Sequence, residues 1–144
     1  EKMGKFFGTY SRTLDEKKRL QIPSKLVKEM PHSFYVLRGF EGCLSIYEEA
    51  EFNALMSKLE SLSYLNETAR NYIRLSSASV QELDVDSHGR ITLSTELAMT
   101  YKISNDVVLI GVLDHFELWD KAAYEAYLAA KSPLYESLAE GSSK

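Results

Sequence analysis

Two short stretches decide the fold: Asp15-Glu16-Lys17-Lys18-Arg19 and Asp86-Ser87-His88-Gly89-Arg90. Each sets an Asp four residues before an Arg, is entered through an extended run carrying Leu14 or Val85, and is left through Leu20-Gln21-Ile22 or Ile91-Thr92-Leu93. Working outward, Ile22 and Leu26 fall on Leu93 and Leu97 at the offset that carries Asp15 onto Asp86. Past one inserted residue, Gly39 to Phe52 lies on Gly111 to Tyr124, with Leu44, Ile46 and Tyr47 over Phe116, Leu118 and Trp119. The chain therefore contains an internal repeat of about 70 residues, longer than the periods of solenoid arrays. Two like half-domains are the reading.

The 144 residues, 44% apolar and 26% charged, are enough to bury roughly two thirds of the unfolded surface, so one compact domain built from the two halves is expected. Met3 reads as an initiator, which leaves Glu1 and Lys2 outside the fold reading. The single Cys43 has no partner for an internal disulfide, and no cysteine and histidine have zinc-ligand spacing. No apolar run reaches the ~18 residues of a membrane span, so a cytoplasmic protein is expected. Net charge is −4, unevenly spread. Residues 1–28 hold eight Lys or Arg (Lys2, Lys5, Arg12, Lys17, Lys18, Arg19, Lys25, Lys28) against Glu1, Asp15 and Glu16, a balance of +5 that leaves −9 for the rest. The first half thus begins with a basic face on an acidic body.

Phe6 to Leu14 is rich in aromatic and β-branched residues and reads as a strand that turns at residues 15–18 and resumes at Arg19 to Ile22, a tight hairpin. Pro23 suits a helix start, with Leu26, Val27 and Met30 packing inward before Pro31. Phe34 to Arg38 and Cys43 to Tyr47 form a second hairpin around Gly39-Phe40-Glu41-Gly42, whose glycines suit positive φ. From Glu48, the spacing of Phe52, Leu55, Met56, Leu59 and Leu62 predicts an amphipathic helix, and Asn66 caps another with Leu65, Ala69, Tyr72 and Ile73 on one face.

The second half repeats the plan. Strands are expected from Val80, to Leu93, from Val107 to Ile110 and from Phe116 to Trp119, with a short helix near Glu96 to Tyr101 and another through Tyr124, Tyr127 and Leu128. Ser132-Pro133 ends that helix, and the tail ends in Gly141-Ser142-Ser143-Lys144, where fraying is expected. One half exposes too many edges to stand alone. The expected fold is α+β: two halves interleaved about a pseudo-twofold axis into one small β-barrel, with peripheral helices and both Asp-to-Arg loops displayed together. The boundaries are 3–62 for the first half, 63–78 for a connecting helix, 79–130 for the second half and 131–144 for the tail.

Arg19 with Lys17 and Lys18 fits contact with nucleic acid, because ammonium groups displace counterions from phosphates and a planar guanidinium bonds a guanine edge at two points. The same residues also fit a solvated hairpin tip. Arg12 reads as a flanking contact. Asp15 and Asp86 would repel phosphate, so bonding turn amides and orienting the arginines is their expected role. Ser87-His88 and Asp114-His115 do not make a hydrolytic site, since sequence neighbours seldom face each other as nucleophile and base and no nucleophile elbow accompanies them. Cys43 reads as core. No catalytic residue, cofactor, metal or small-molecule substrate is expected.

Taken together, Gly8-Thr9, Leu14-Asp15-x-x-x-Arg19-Leu20-x-Ile22-Pro23, Arg38-Gly39-Phe40-Glu41-x-Cys43-Leu44, Asp84-Val85-Asp86-x-x-Gly89-Arg90-Ile91, Val108-Leu109-Ile110-Gly111 and His115-Phe116-Glu117-Leu118-Trp119 resemble the MraZ family of bacterial transcriptional regulators, within the AbrB-like swapped-hairpin superfamily. The resemblance covers nearly the whole chain. It implies an internally duplicated swapped-hairpin fold and a nucleoid-associated protein that binds double-stranded DNA at promoter direct repeats upstream of the division and cell-wall gene cluster, usually as a repressor. It also implies a ring-like homo-oligomer presenting its loops to DNA. Arg12, Lys17, Lys18 and Arg19 would then contact DNA, with a smaller share for Arg90 and His88. The family often has Gly before the first-loop Arg, where this chain has Lys18. The alternative is an oligomeric protein-interaction or antitoxin-like module whose basic loop takes an acidic protein partner.

Overall fold

The computed structural model describes residues 6–143; Lys2, Lys5 and Lys144, and Met3 where the first half is expected to begin, lie outside them. In chain order the elements are β1 (Thr9–Thr13), β2 (Arg19–Gln21), β3 (Ser33–Arg38), β4 (Leu44–Tyr47), α1 (Glu49–Glu60) and α2 (Glu67–Ala78). There follow β5 (Gln81–Asp84), β6 (Arg90–Thr92), α3 (Thr95–Thr100), β7 (Asp106–Gly111), β8 (Phe116–Asp120) and α4 (Lys121–Lys131), then a 3-10 turn (Ser132–Leu134) and α5 (Tyr135–Ser142). The protein is α+β, with every strand pair antiparallel.

The strands form a six-stranded sheet in the order β1-β7-β8-β4-β3-β5 and a separate two-stranded ribbon, β2-β6. The expected barrel does not close. β1 and β5 remain sheet edges, because the chain leaves each through an Asp-to-Arg loop into the ribbon instead of continuing along the sheet. The hairpin expected of β1 and β2 is also replaced. The turn bonds are present, Lys18 N–H donating to the Asp15 carbonyl at 2.9 Å and Asp15 N–H to the Arg19 carbonyl at 3.2 Å. Beyond them the strands part: β1 pairs with β7, Arg12 opposite Val107, and β2 pairs with β6, Arg19 opposite Thr92 and Gln21 opposite Arg90. Each takes its ladder from the other half.

Alternation along the strands separates two sheet faces. Phe34, Val36, Leu44, Ile46, Leu109, Phe116 and Leu118 are fully buried in one core with Leu20, Ile22, Ile91 and Leu93 from the ribbon and its exits. Phe116 packs edge-on against both Phe6 (5.6 Å) and Phe34 (5.5 Å). Leu20 and Ile91 oppose each other in the ribbon, and burying each contributes about 1.5–3 kcal/mol. On the other face, α1 and α2 lie on β3, and α4 lies on β7 and β8. Phe52 stacks on Tyr35 at 4.3 Å, and Tyr127 packs on Trp119 at 5.0 Å.

Local signals placed α2 and α3. Asn66 caps α2 by accepting from Ala69 N–H at 2.9 Å, and Ser94 caps α3 by accepting from Leu97 N–H at 3.0 Å. Three local expectations are corrected. The segment after Pro23 is a series of turns rather than a helix, although Leu26 and Val27 are buried as expected; Pro23 stands where the second repeat has Ser94, whose hydroxyl caps α3, and Pro31 biases the residue before it away from helical backbone. Gly141 and Ser142, where fraying is expected, instead close α5, and Lys144 lies outside the described residues. In the β3–β4 turn, Gly42 has positive φ, but the other left-handed residue is Glu41 and not Gly39. Gly39 is needed for close approach, since a Cβ there would lie 2.8 Å from Cys43 Sγ.

Candidate nucleic-acid interface

The two Asp-to-Arg loops have the same internal geometry. In the first, Asp15 Oδ1 accepts from the amides of Lys17 and Arg19, both at 2.9 Å, and Oδ2 accepts from Arg19 Nε at 2.6 Å. In the second, Asp86 Oδ1 accepts from His88 N–H at 2.9 Å and Arg90 N–H at 3.0 Å, and Oδ2 from Arg90 Nε at 2.9 Å. A short carboxylate side chain can bond amides two and four residues on, which is why Asp stands at this place in both. The Arg19 amide, with its guanidinium and the Lys17 amide, holds the Asp15 carboxyl below the usual range against partial desolvation, and Arg90 and His88 do the same for Asp86.

The residue before each arginine is left-handed, Lys18 at φ +62° and Gly89 at φ +76°. Lys18 therefore keeps the shape that glycine gives the second loop, at a cost of roughly 1 kcal/mol. Each arginine is gripped through Nε, which leaves its outer nitrogens for other acceptors. Those of Arg19 have no hydrogen-bond partner among the described residues, and Arg90 Nη2 lies 3.5 Å from His88 Nδ1. A guanidinium oriented by a carboxylate and open at its outer edge suits two-point recognition of an acceptor pair.

The halves brace each other's loops. Leu93 N–H donates to the Lys18 carbonyl at 2.9 Å, and Ile22 N–H to that of Gly89 at 3.0 Å. Gln21 Nε2 donates to the carbonyls of His88 (2.9 Å) and Gly89 (3.2 Å), and Lys18 Nζ to Asn105 Oδ1 at 2.9 Å. Of the first-loop cations, Lys17 is exposed while Lys18 is half-buried and engaged. Arg12 donates to the Ser11 carbonyl, lies over the Tyr10 ring, and lines a groove with residues of the second loop. Sequence reasoning missed Gln21 and Asn105, because their partners belong to the other half and no local pattern announces them.

The remaining reactive groups sit apart from the loops. Cys43 is buried, and that burial pushes its thiol up to about 12, far from a thiolate nucleophile. His115 bonds Asp114 at 2.8 Å and stacks on Tyr47. Among the described residues no cluster of His, Cys, Asp and Glu has the make-up of a metal site, and no helix is long and apolar enough to cross a membrane.

Fold and loops together define an α+β protein that displays two carboxylate-braced arginine loops beside a two-stranded ribbon. A family model described as "MraZ protein, putative antitoxin-like" matches residues 6–75 and 78–141. Proteins named "Transcriptional regulator MraZ" are similar along most of their length: that of Nocardia farcinica is 39% identical over 124 residues, covering 86% of this chain and 87% of the relative. That of Mesoplasma florum is 38% identical over 136 residues, covering 94% and 93%, and that of Carboxydothermus hydrogenoformans 32% over 135 residues, covering 94% of each. The chain belongs to the MraZ family.

Proposed function

We propose that the protein is a sequence-specific, DNA-binding transcriptional regulator. It acts as a repressor at promoter direct repeats upstream of the division and cell-wall gene cluster, works at the nucleoid in the cytoplasm, and assembles as a ring-like homo-oligomer. The observation that carries this reading is the paired loop geometry: Arg19 and Arg90 are each fixed through Nε by an Asp four residues earlier, a device for aiming a guanidinium edge at bases while Lys17 and neighbouring cations meet phosphates. The regulator name carried by the relatives supports it.

The halves, 3–62 and 79–130 joined by 63–78 and followed by 131–144, are swapped-hairpin units about a pseudo-twofold axis. Support comes from the strand order, which reads the same when β1, β3 and β4 are exchanged for β5, β7 and β8, and from the register, Arg19 opposite Thr92 mirroring Gln21 opposite Arg90. The decisive experiment is retardation of a promoter fragment carrying the repeats, at physiological salt and with competitor DNA. Specific retardation is expected, and migration no different from a scrambled fragment rejects the reading. The family description favours a second reading, an antitoxin-like module that docks an acidic protein on the basic loop; it predicts capture of such a partner with no preference among duplexes.

A further inference from the structure

Arg12 and the second loop lie in different halves of the sequence, yet they border one groove of about 560 Å³. The sequence joins Arg12 to the first loop. Pairing of β2 with β6, and the Gln21 amide held on the carbonyls of His88 and Gly89, instead bring the first half up against the second loop. The polar side chains around the groove are donors or can serve as donors: Arg12, Gln21, Ser24, His32, Ser87 and His88. Among the described residues that line it the one carboxylate, Asp86, already accepts three hydrogen bonds from its own loop.

The wall from Ser24 to His32 also exposes Lys25 and Lys28, with Glu29 as the opposing charge. At the equivalent places in the second half stand Glu96 and Met99. The segment that borders the groove therefore carries two lysines against one glutamate, while the middle residues of the second loop, Ser87, His88 and Gly89, carry no fixed charge. An open groove of donors with its only carboxylate paired suits a singly charged, acceptor-only group. On a nucleic acid that group is the phosphodiester.

We propose that this groove seats a backbone phosphate of duplex DNA beside the second loop, with Arg12, Ser24 and His32 as its donors. The assignment rests on the DNA-binding reading and adds to it a phosphate site built by the half opposite the loop it serves. Arg12 acts with Arg90, not with Arg19.

The test is fluorescence anisotropy at several salt concentrations, with a duplex selected by the parent protein from a random pool. Arg12→Ala is expected to weaken binding and to reduce the steepness of log K against log salt by about 0.9, the share of one phosphate. Arg12→Lys restores the slope. Ser24→Ala and His32→Ala, both at exposed positions, each weaken binding by about threefold, as for loss of a modest hydrogen bond. Combined with Arg90→Ala, the effect of Arg12→Ala shrinks, and combined with Arg19→Ala it stays whole.

Unchanged binding by the Ser24, His32 and Arg12 variants, while Arg19→Ala and Arg90→Ala lose affinity, overturns the groove and leaves the DNA reading standing. Coupling of Arg12 to Arg19 in place of Arg90 does the same. A parent protein that selects and binds no duplex removes both. Circular dichroism melts that match the parent exclude unfolding as the cause, and if Arg12→Ala fails to fold, Ser24→Ala and His32→Ala decide the matter.

Discussion

The carbonyl of Lys18 accepts the amide of Leu93 at 2.9 Å, and Lys18 does so from left-handed backbone at φ +62°. Gly89 makes the matching bond to Ile22 at 3.0 Å. These two bonds pin each loop to the strand exit of the other half, so the left-handed residue is required twice and favoured by glycine once.

Exchanging the two residue types therefore has opposite effects. Lys18→Gly is expected to stabilise the fold by up to about 1 kcal/mol through relief of left-handed strain, less whatever the Lys18–Asn105 bond contributes. Gly89→Ala is expected to destabilise it by about 1–2 kcal/mol, since its Cβ also approaches Gln21 Nε2 at 3.2 Å and Met30 Cε at 3.4 Å. Urea denaturation of both variants measures the signs, and a destabilised Lys18→Gly refutes the strain argument.

Arg19→Ala is expected to weaken operator binding more than Arg90→Ala, each by about 1–3 kcal/mol for a lost two-point base contact. Sequence alone makes the gap wide, because Lys17 and Lys18 back Arg19. In the fold, Lys18 donates to Asn105 while Arg12 borders a groove with the second loop, so the gap narrows. Anisotropy on operator and scrambled duplexes separates these outcomes, and the reverse order of the two arginines contradicts the assignment.

Loop order is expected to be lost in acid. The folded-state carboxyls of Asp15 and Asp86 lie below the ordinary value, chiefly through the amides of Arg19 and Arg90. A depressed carboxyl contributes stability that is complete above the unfolded value of about 3.9 and disappears as pH falls through the lower folded value. NMR of the Arg19 and Arg90 amides should show constant shifts from neutral pH to about 5 and movement below about 4. In Asp15→Asn the first-loop transition should vanish while the second persists; persistence of both locates the titrating group elsewhere.

Gly111→Ala is expected to detach the N-terminal bridge. A Cβ there would collide with the Phe7 backbone nitrogen, where Phe6 and Leu113 exchange hydrogen bonds. Backbone cannot yield as a flexible side chain can, so Phe6 leaves the core at a cost of about 1.5–3 kcal/mol. Thermal unfolding measures the loss, and a parent-like midpoint shows that the bridge is dispensable.

A homo-oligomer is expected at micromolar concentration. Tyr127 is held on Trp119, but Leu128 next to it is exposed, and α5 exposes Tyr135 and Leu138 while its contacts are with the 3-10 turn. Repeating the loops around a ring raises the effective concentration of the second engagement. Light scattering should give a multiple of the protomer mass, reduced by Leu128→Glu or Leu138→Glu. A parent protein that is monomeric throughout rejects the ring.

What could be read from the sequence was whatever a residue imposes on its near neighbours. Asn66 caps the helix that it was expected to cap, and Asp15 and Asp86 bond the amides of their own turns, because an Asx side chain reaches only two to four residues along the chain. Pro23 misled: its fixed φ suits a helix start, but it stands where the second repeat has Ser94, whose hydroxyl caps α3, and the segment to Pro31 buries Leu26 and Val27 in turns.

By itself the sequence determined the repeat, the loop chemistry, the apolar faces and the family, all carried by side-chain type at fixed spacing. Only the tertiary structure decided that β1 takes β7, that β2 takes β6, that the sheet stays open, and that Arg12 and His88 border one groove. The physical reason is that strand pairing uses backbone donors and acceptors that every non-proline residue carries alike. The choice of partner is made by the core that both halves must fill together.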